Sequence, residues 1–522
     1  MYDRRTLTIA LLGLLGLLVL IYMIPSSEPN PLRGRYDVAG DGWYAGGQEA
    51  VATKLDQRVN RNRAKNVILF VGDGMDVTTV TAARIFAGQK KGMPGESHNL
   101  SFDTMPYTAL VKTYNTNAQT SDSAGTASAM VTGVKTKIGV VSLSDDVVPG
   151  RCDGPRAVQQ MSPPTLLEMA ETIGMATGLV TTTRLTHATP ATTYAHSPDR
   201  DWEDDSAMPV EAIDAGCTDI ADQFVKFPYG DGIDVAFGGG RRHFLPEDQP
   251  DPEDDGAFGR RLDGRDLIEE WVKRRGPRAR YVWNTEQFRG LSPEADGPVL
   301  GLFEPSHMQY EADRRDDAGG EPPLSEMVAK ALSFLERDED GFFLMVEGGR
   351  IDHAHHRGNA ARALAETEEF SKAVQVAMDQ TDSEETLILV TADHGHTMVL
   401  AGYPPRGNDI LGLVMQYADD GTPGDAPRPA GDGKPYTTLG YWNGPGTIKG
   451  GVRPDLDVET VTALDYQQQA AIPMGSETHG GQDVALYAQG PWAHLVGGTI
   501  EQNVIFHIID HASKLTDRAE RH

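Results

Sequence analysis

The stretch Val346-Glu347-Gly348-Gly349-Arg350-Ile351-Asp352-His353-Ala354-His355-His356 sets two carboxylates and three imidazoles just after a short apolar run, Phe342 to Met345. Asp352 and His356 stand four apart, so a helix starting here carries both on one face. An oxygen and a nitrogen ligand side by side suit Zn²⁺, which accepts both. The same chemistry recurs at Asp73, at Asp393-His394 and at His479. With Glu347 these residues are enough for two or three divalent ions. Two ions about 4 Å apart can clamp the attacking and leaving oxygens of a phosphoryl transfer. Ser123 follows Asp122 just inside an expected helix start, where backbone N–H groups and the helix dipole favour an anion. A serine hydroxyl is a poor nucleophile until a metal beside it lowers its pKa. Taken alone, Asp122-Ser123 reads first as a helix N-cap. Arg200 offers a fork for two phosphate oxygens, and taken alone reads as a surface arginine in a charged loop.

These residues share a position. Asp73 follows the run Val67–Val71. Thr189 follows Ala176–Thr183. Glu347 and Asp352 follow Phe342–Met345, and Asp393-His394 follow Thr386–Thr391. Each run is short and mostly apolar, as a buried strand is. Helical patterns separate them, among them Leu324–Leu335 and a long one from about Asn359 to Met378. Strand–helix alternation predicts an α/β fold, a three-layer αβα sandwich with a largely parallel central sheet. The carboxyl ends of parallel strands meet along one edge, so chain-distant ligands can form one cluster there. Residues 400–475 break the rhythm, with Gly, Pro, Asp and short aromatic patches, and read as a loop-rich insertion. The catalytic body is expected at 61–399 and 476–522, with a stalk and first helix at 25–60.

Charge bounds the partners. Lys and Arg number 47 against 76 Asp and Glu, a net charge of −29, which argues against nucleic acid as a partner. A phosphate substrate would be repelled unless metals or arginines reverse the field locally. At the N-terminus Arg4 and Arg5 precede an apolar run from Leu7 to Ile24, about 27 Å as a helix and close to the thickness of a bilayer core. Residues 1–24 therefore read as a signal anchor, or as a signal peptide if cleaved, with the body exported to the periplasm or the cell exterior. No hydrophobic stretch follows Lys514, so no GPI signal is expected. The two cysteines, Cys152 and Cys217, are two buried thiols or one disulfide, and export favours the disulfide.

Taken together, Val71-Gly72-Asp73-Gly74-Met75, Asp122-Ser123-Ala124-Gly125-Thr126-Ala127, Thr181-Thr182-Thr183-Arg184 with His187-Ala188-Thr189-Pro190, the stretch from Val346 to His356, Ala392-Asp393-His394 and Thr478-His479-Gly480-Gly481 resemble the alkaline phosphatase family, in wording closer to its animal form than to the enterobacterial one. The resemblance spans about 65 to 515. It implies a phosphate monoester hydrolase working through a phosphoserine at Ser123. Asp352, His356 and His479 would hold one Zn²⁺, and Asp393, His394 and Asp73 the second. Asp73, Thr189 and Glu347 would hold Mg²⁺. Arg200, steadied by Asp122, would bind the phosphate. His187 and His353 stand where the family places residues that support the ligands, whereas His355 and His396 receive no role and are read as bystanders.

The animal pattern also implies a Ca²⁺ site from Glu253, the Phe303 carbonyl and Glu304, within the region 245–325. Glu321 would be the fourth ligand, at a spacing changed by a short insertion. Oxygen-only ligands suit Ca²⁺. Cys152 and Cys217 fall where the family has a disulfide. Its second disulfide, near the C-terminus, is absent, as is its lipid anchor. The insertion matches the family's crown, which helps form a homodimer. A phosphodiesterase or sulfatase on the same scaffold is the competing enzyme, but those use a threonine or a modified cysteine where this chain has Ser123. An inactive metal-binding surface protein would show a lost ligand, and none is lost.

Overall fold

The computed structural model describes residues 8–9, 11–15, 40–448 and 451–522. The expected span at 1–24 falls largely outside them. Among the described residues no helix is long and apolar enough to cross a membrane. The chain divides into Met1–Arg58 and Val59–His522. In the first unit the expected helix appears as α1, Gly42–Asp56. Asp41 caps it by accepting from the Trp43 and Tyr44 N–H groups.

The second unit is built on a ten-stranded sheet. In chain order its strands are β1 Asn66–Gly72, β2 Tyr107–Lys112, β3 Ala176–Arg184, β4 Val235–Gly239, β5 Arg280–Val282, β6 Val299–Leu302, β7 Phe342–Gly348, β8 Thr386–Ala392, β9 Val484–Gln489 and β10 Thr499–Glu501. Their spatial order is β10-β2-β9-β8-β1-β7-β3-β4-β6-β5. Only β9 runs antiparallel to its neighbours. The central strands β8, β1, β7 and β3 are buried along nearly their whole length. Their sequences are therefore continuous apolar runs, since a strand covered on both faces has no solvent side to alternate with.

Helices cover the sheet in two groups. One holds α2 (Val77–Lys90), α5 (Leu324–Leu335), α6 (Arg350–His356) and α7 (Ala360–Gln380). The other holds α3 (Ser123–Thr132), α4 (Ala188–Ala191) and α8 (Val504–Ser513). In α7, Ala363, Leu364, Thr367, Phe370, Ser371, Val374 and Ala377 are buried, the 3–4 residue spacing of one helical face. Phe370 meets Phe70 of β1 edge-on at 5.8 Å. This layering is the expected αβα sandwich.

Three elements differ from expectation. Strand β6 was not anticipated, because four residues between Pro298 and Phe303 carry too little pattern. Glu501, whose acidic side chain would suit a helix start, instead ends strand β10, and α8 starts at Val504. The region expected to be mostly loop contributes a three-stranded sheet from Met398–Leu400, Leu439–Gly444 and Ala470–Pro473. Cys152 and Cys217 form a disulfide, and it packs with Trp202, Met208 and Ala212.

Candidate active site

Strand register assembles the cluster. Val71 of β1 lies beside Glu347 of β7, Gly72 beside Ala392 of β8, and Thr181 of β3 beside Glu347. Asp73, Glu347 and Asp393 thus leave the sheet at one level of one edge. His479 arrives from far along the chain because His479-Gly480 pairs antiparallel with Gly395-His396. The result is four carboxylates, Asp73, Glu347, Asp352 and Asp393, all buried together. Burial, then the neighbouring Asp393, Asp352 and Glu347, holds Asp73 well above the usual carboxylate range. Such a concentration of buried negative charge demands cations.

The donors converge in nests that fit metals. His356 Nε2 and His479 Nε2 lie 3.2 Å apart, each 3.4 Å from Asp352 Oδ1. His356 Nδ1 donates to the Glu477 carbonyl at 2.6 Å, and His479 Nδ1 donates to the Ser121 carbonyl at 2.7 Å. Those bonds fix the protons on Nδ1 and leave both Nε2 lone pairs facing each other and a carboxylate. The arrangement is repulsive unless a cation sits among the three. In the second nest Asp73, Asp393 and His394 lie within one ion's reach. His394 Nε2 is 3.4 Å from Asp73 Oδ1 and 3.2 Å from Asp393 Oδ2. A third grouping joins Asp73 and Glu347. Glu347 Oε2 accepts from Thr181 and Thr183, while its Oε1 and the Thr189 hydroxyl are buried without partners. Orphaned buried oxygens of this kind mark an ion or ordered water.

Ser123 is the first residue of α3, after its N-cap Asp122. Its Oγ lies 3.2 Å from His394 Nε2 and 3.3 Å from Asp73 Oδ2, against the second nest. Asp122 is therefore both cap and anchor. Its Oδ1 accepts from the Gly125 N–H, and its Oδ2 from the Gly139 N–H and, at 3.0 Å, from Arg200 Nη1. Arg200 Nη2 donates to His187 Nε2 at 3.2 Å. Each terminal nitrogen of Arg200 keeps a hydrogen for a phosphate oxygen. His353 Nδ1 accepts from Arg350 Nη1 at 3.2 Å, beside the ligands as expected.

Two histidines expected to be bystanders are built in. His396 Nε2 donates to Asp352 Oδ1 at 2.8 Å and Nδ1 to Glu477 Oε2 at 2.6 Å. Both ring nitrogens donate to carboxylates, so the ring is an imidazolium. Burial opposes its charge, but Glu477 and Asp352 prevail and push it up to about 10. Gly74, at φ 70°, permits this contact, because a Cβ there would stand 2.4 Å from the His396 ring. His355 is wholly buried between the Thr79 hydroxyl and the Tyr441 hydroxyl, and pins α2 to the three-stranded sheet. Glu477 and His307 lay outside the expected set. His307 packs 4.1 Å from the His353 ring.

Elsewhere on the second unit, Glu253, Glu304 and Glu321 come together, with Phe303 next to Glu304. They are joined by Asp317, which the changed spacing concealed. Burial, with Glu253 and Asp317 adding to it, pushes Glu304 up to about 8. Glu321 Oε2 and Asp317 Oδ2 are buried without partners, whereas Glu253 is already engaged by Arg241 at 2.9 Å.

Paired metal nests beside a serine at a helix start define a metal-dependent enzyme of phosphoryl transfer. The family model for alkaline phosphatase matches residues 64–515. The chain is 45% identical over 511 residues to the tissue-nonspecific isozyme of alkaline phosphatase from Gallus gallus, covering 96% of this chain and 93% of that one. It is 44% identical over 498 residues to the Homo sapiens isozyme, covering 94% and 90%. Among solved structures, Thermus thermophilus alkaline phosphatase is 25% identical with a TM-score of 0.61, covering 88% and 93%. The enzyme of the Antarctic bacterium TAB5 shares the fold at a TM-score of 0.58 and 21% identity, covering 87% and 99%. The chain belongs to the alkaline phosphatase family and is a metal-dependent phosphate monoester hydrolase.

Proposed function

We propose that hydrolysis proceeds in two displacements through a phosphoserine at Ser123. The observation that carries this reading is the position of Ser123 Oγ, 3.2–3.3 Å from donors of the second nest and at the first turn of α3. Zn²⁺ at Asp352, His356 and His479 and at Asp73, Asp393 and His394, with Mg²⁺ at Asp73, Thr189 and Glu347, would supply the charge that activates an oxygen and screens phosphate from the carboxylates. Arg200 grips two phosphate oxygens in its fork and is held in place by Asp122. Ser123 Oγ attacks phosphorus, and the bond to the leaving alcohol breaks. Water then attacks the phosphoserine, restores the hydroxyl and frees inorganic phosphate. Two in-line displacements retain configuration at phosphorus.

The donor chemistry supports these ions, since mixed carboxylate and imidazole sets suit Zn²⁺ and oxygen sets suit Mg²⁺. The oxygen-only cluster of Glu253, the Phe303 carbonyl, Glu304 and Glu321 suits Ca²⁺ by the same rule, and its orphaned Glu321 oxygen favours an ion there. The apolar run before residue 24, the Cys152–Cys217 disulfide and the inserted sheet favour an exported, N-terminally anchored homodimer.

The test is turnover of a chromogenic phosphate monoester between pH 7 and 10, before and after chelation, with Zn²⁺ and Mg²⁺ restored singly and together. In parallel, acid-quenched enzyme labelled with ³²P-phosphate is mapped by peptide. Label on Ser123, absent in Ser123→Ala, is expected. Full turnover by Ser123→Ala would refute the covalent route.

A further inference from the structure

Three imidazoles, His187, His307 and His353, lie within reach of a single ion, and their residue types suggest a further metal. Their hydrogen bonds point the other way. An arginine can only donate. His187 Nε2 accepts from Arg200 Nη2, His353 Nδ1 from Arg350 Nη1, and His307 Nε2 from Arg184 Nη1. In His187 and His353 one lone pair is thus spent on a guanidinium and the other nitrogen carries the proton, whereas both nitrogens of His307 face Arg184, Nε2 its guanidinium and Nδ1 its backbone N–H at 3.4 Å. His187 and His353 therefore present N–H groups, which receive an anion, and His307 has no nitrogen free for a cation. The buried His187 Nδ1 has no partner in the protein.

His307 and His353 open into a depression of about 350 Å³ whose walls include Tyr310, Arg350, His356 and Arg357. No Asp or Glu is among its lining residues, in a chain of net charge −29. Arg350 lies flat on Tyr310 at 3.8 Å, and its Nε has no partner. Arg357 is exposed, 5.5 Å from the same ring. Arg184, Arg200 and Arg362 are matched by Glu203, Asp122 and Asp313. Among the described residues neither Arg350 nor Arg357 forms an ion pair. The fields of Glu366 and Glu321 reach Arg350, but neither is bonded to it: Glu366 accepts from the Glu311 N–H and Glu321 from the Gln309 N–H. His356, a wall of the depression, faces the first metal nest, so the unmatched charge borders the place of the reacting phosphate.

We propose that this depression, through Arg350, Arg357 and His353, is a subsite for a second phosphoryl group carried by the same substrate molecule. The enzyme would then prefer bisphosphates to monophosphates of equal length. This rests on the reacting phosphate lying between Ser123 and Arg200.

The test pairs alkane-α,ω-diol bisphosphates of two to six carbons with the matching alkyl phosphates. At low ionic strength one chain length should show kcat/KM about tenfold above its monophosphate partner, the worth of one charge-assisted contact. Arg357→Gln should bring that ratio close to one, and Arg357→Lys should restore part of it. Arg357 is exposed, so neither change threatens the fold. Calorimetry with methylenediphosphonate and methylphosphonate gives the same comparison without turnover, so a failure of the Ser123 reading remains distinguishable. The proposal is overturned if Arg357→Gln leaves both the kinetic and the binding ratios as in the wild type. It is also overturned if bisphosphates show no preference while inorganic phosphate binds with a second equivalent, since the depression would then hold a free anion.

Discussion

Replacing Gly74 by alanine tests whether the placement of His396 matters to the site. Gly74 has φ 70°, a conformation that costs an alanine about 1–2 kcal/mol. The added Cβ would stand 2.4 Å from His396 Cδ2 and Nε2 and 3.3 Å from the Asp352 Cα. Relief by backbone movement would strain the 2.9 Å bond from the Gly74 N–H to Asp393 Oδ1. Relief by ring movement draws His396 away from Asp352. Overpacking of this kind costs about 1–3 kcal/mol, so the total loss should be about 2–5 kcal/mol, the sum of those two costs. A shift of about 1 Å in a group that orients a ligand can cost about a hundredfold in rate.

Gly174 supplies the control, because its φ is 75° but nothing lies within 4 Å of its added Cβ. Gly174→Ala should lose only the backbone share and keep full activity. Urea unfolding and kcat/KM of both variants make the comparison. If Gly74→Ala unfolds within about 1 kcal/mol of Gly174→Ala, an ordinary surface effect, and turns over at the wild-type rate, the packing of His396 against Gly74 does not hold Asp352 in place.

Three further outcomes concern His396 itself, the disulfide and a buried glutamate. His396→Ala leaves Asp352 and Glu477 buried without their shared cation, and should cost about 3–5 kcal/mol in chelated protein. The loss should be smaller with metals present, because an ion then compensates Asp352; equal losses in both forms, read by thermal melts, would contradict this. Cys217→Ala opens a loop of 65 residues and should cost about 4 kcal/mol in urea unfolding by chain entropy, a figure that an unchanged midpoint would rule out. Burial, then Asp234, pushes Glu171 up to about 9. A raised carboxyl binds a proton in the folded state that the unfolded chain releases near its ordinary pKa of about 4.3. Its stabilisation is therefore complete below that pH and is lost as pH rises through 9. The melting temperature of the wild type should fall relative to Glu171→Gln between pH 6 and 9, and parallel curves would exclude the shift.

The clustering of the candidate ligands was legible because each adjoins a strand or tight turn, and parallel strands bring such ends together by topology alone. Asp73, Glu347 and Asp393 needed only that rule. What the sequence did not show depends on pairing and tautomer. His396 looks like a chance histidine until Gly395-His396 pairs with His479-Gly480. Only then does Glu477, 81 residues away, meet its ring. Asp317 was hidden because its spacing departs from the pattern that marked Glu304 and Glu321. His307 carries no periodic signal at all, and its role emerges only when Arg184 meets both of its ring nitrogens.

Charge joins these pieces. A chain of net charge −29 that admits phosphate must reverse its field where the substrate enters. The buried carboxylates do this indirectly, since four of them stand together with Glu347 Oε1 and Asp393 Oδ2 left without a partner, and so call for divalent ions. Arg200 does it locally, but Asp122 cancels its charge at 3.0 Å, which leaves a directional donor more than an attractive field. The uncancelled positive charge beside the site resides on Arg350 and Arg357. Among the described residues neither guanidinium is ion-paired, whereas Arg184, Arg200 and Arg362 are, and that contrast is what makes the pair available to an anion from outside the chain.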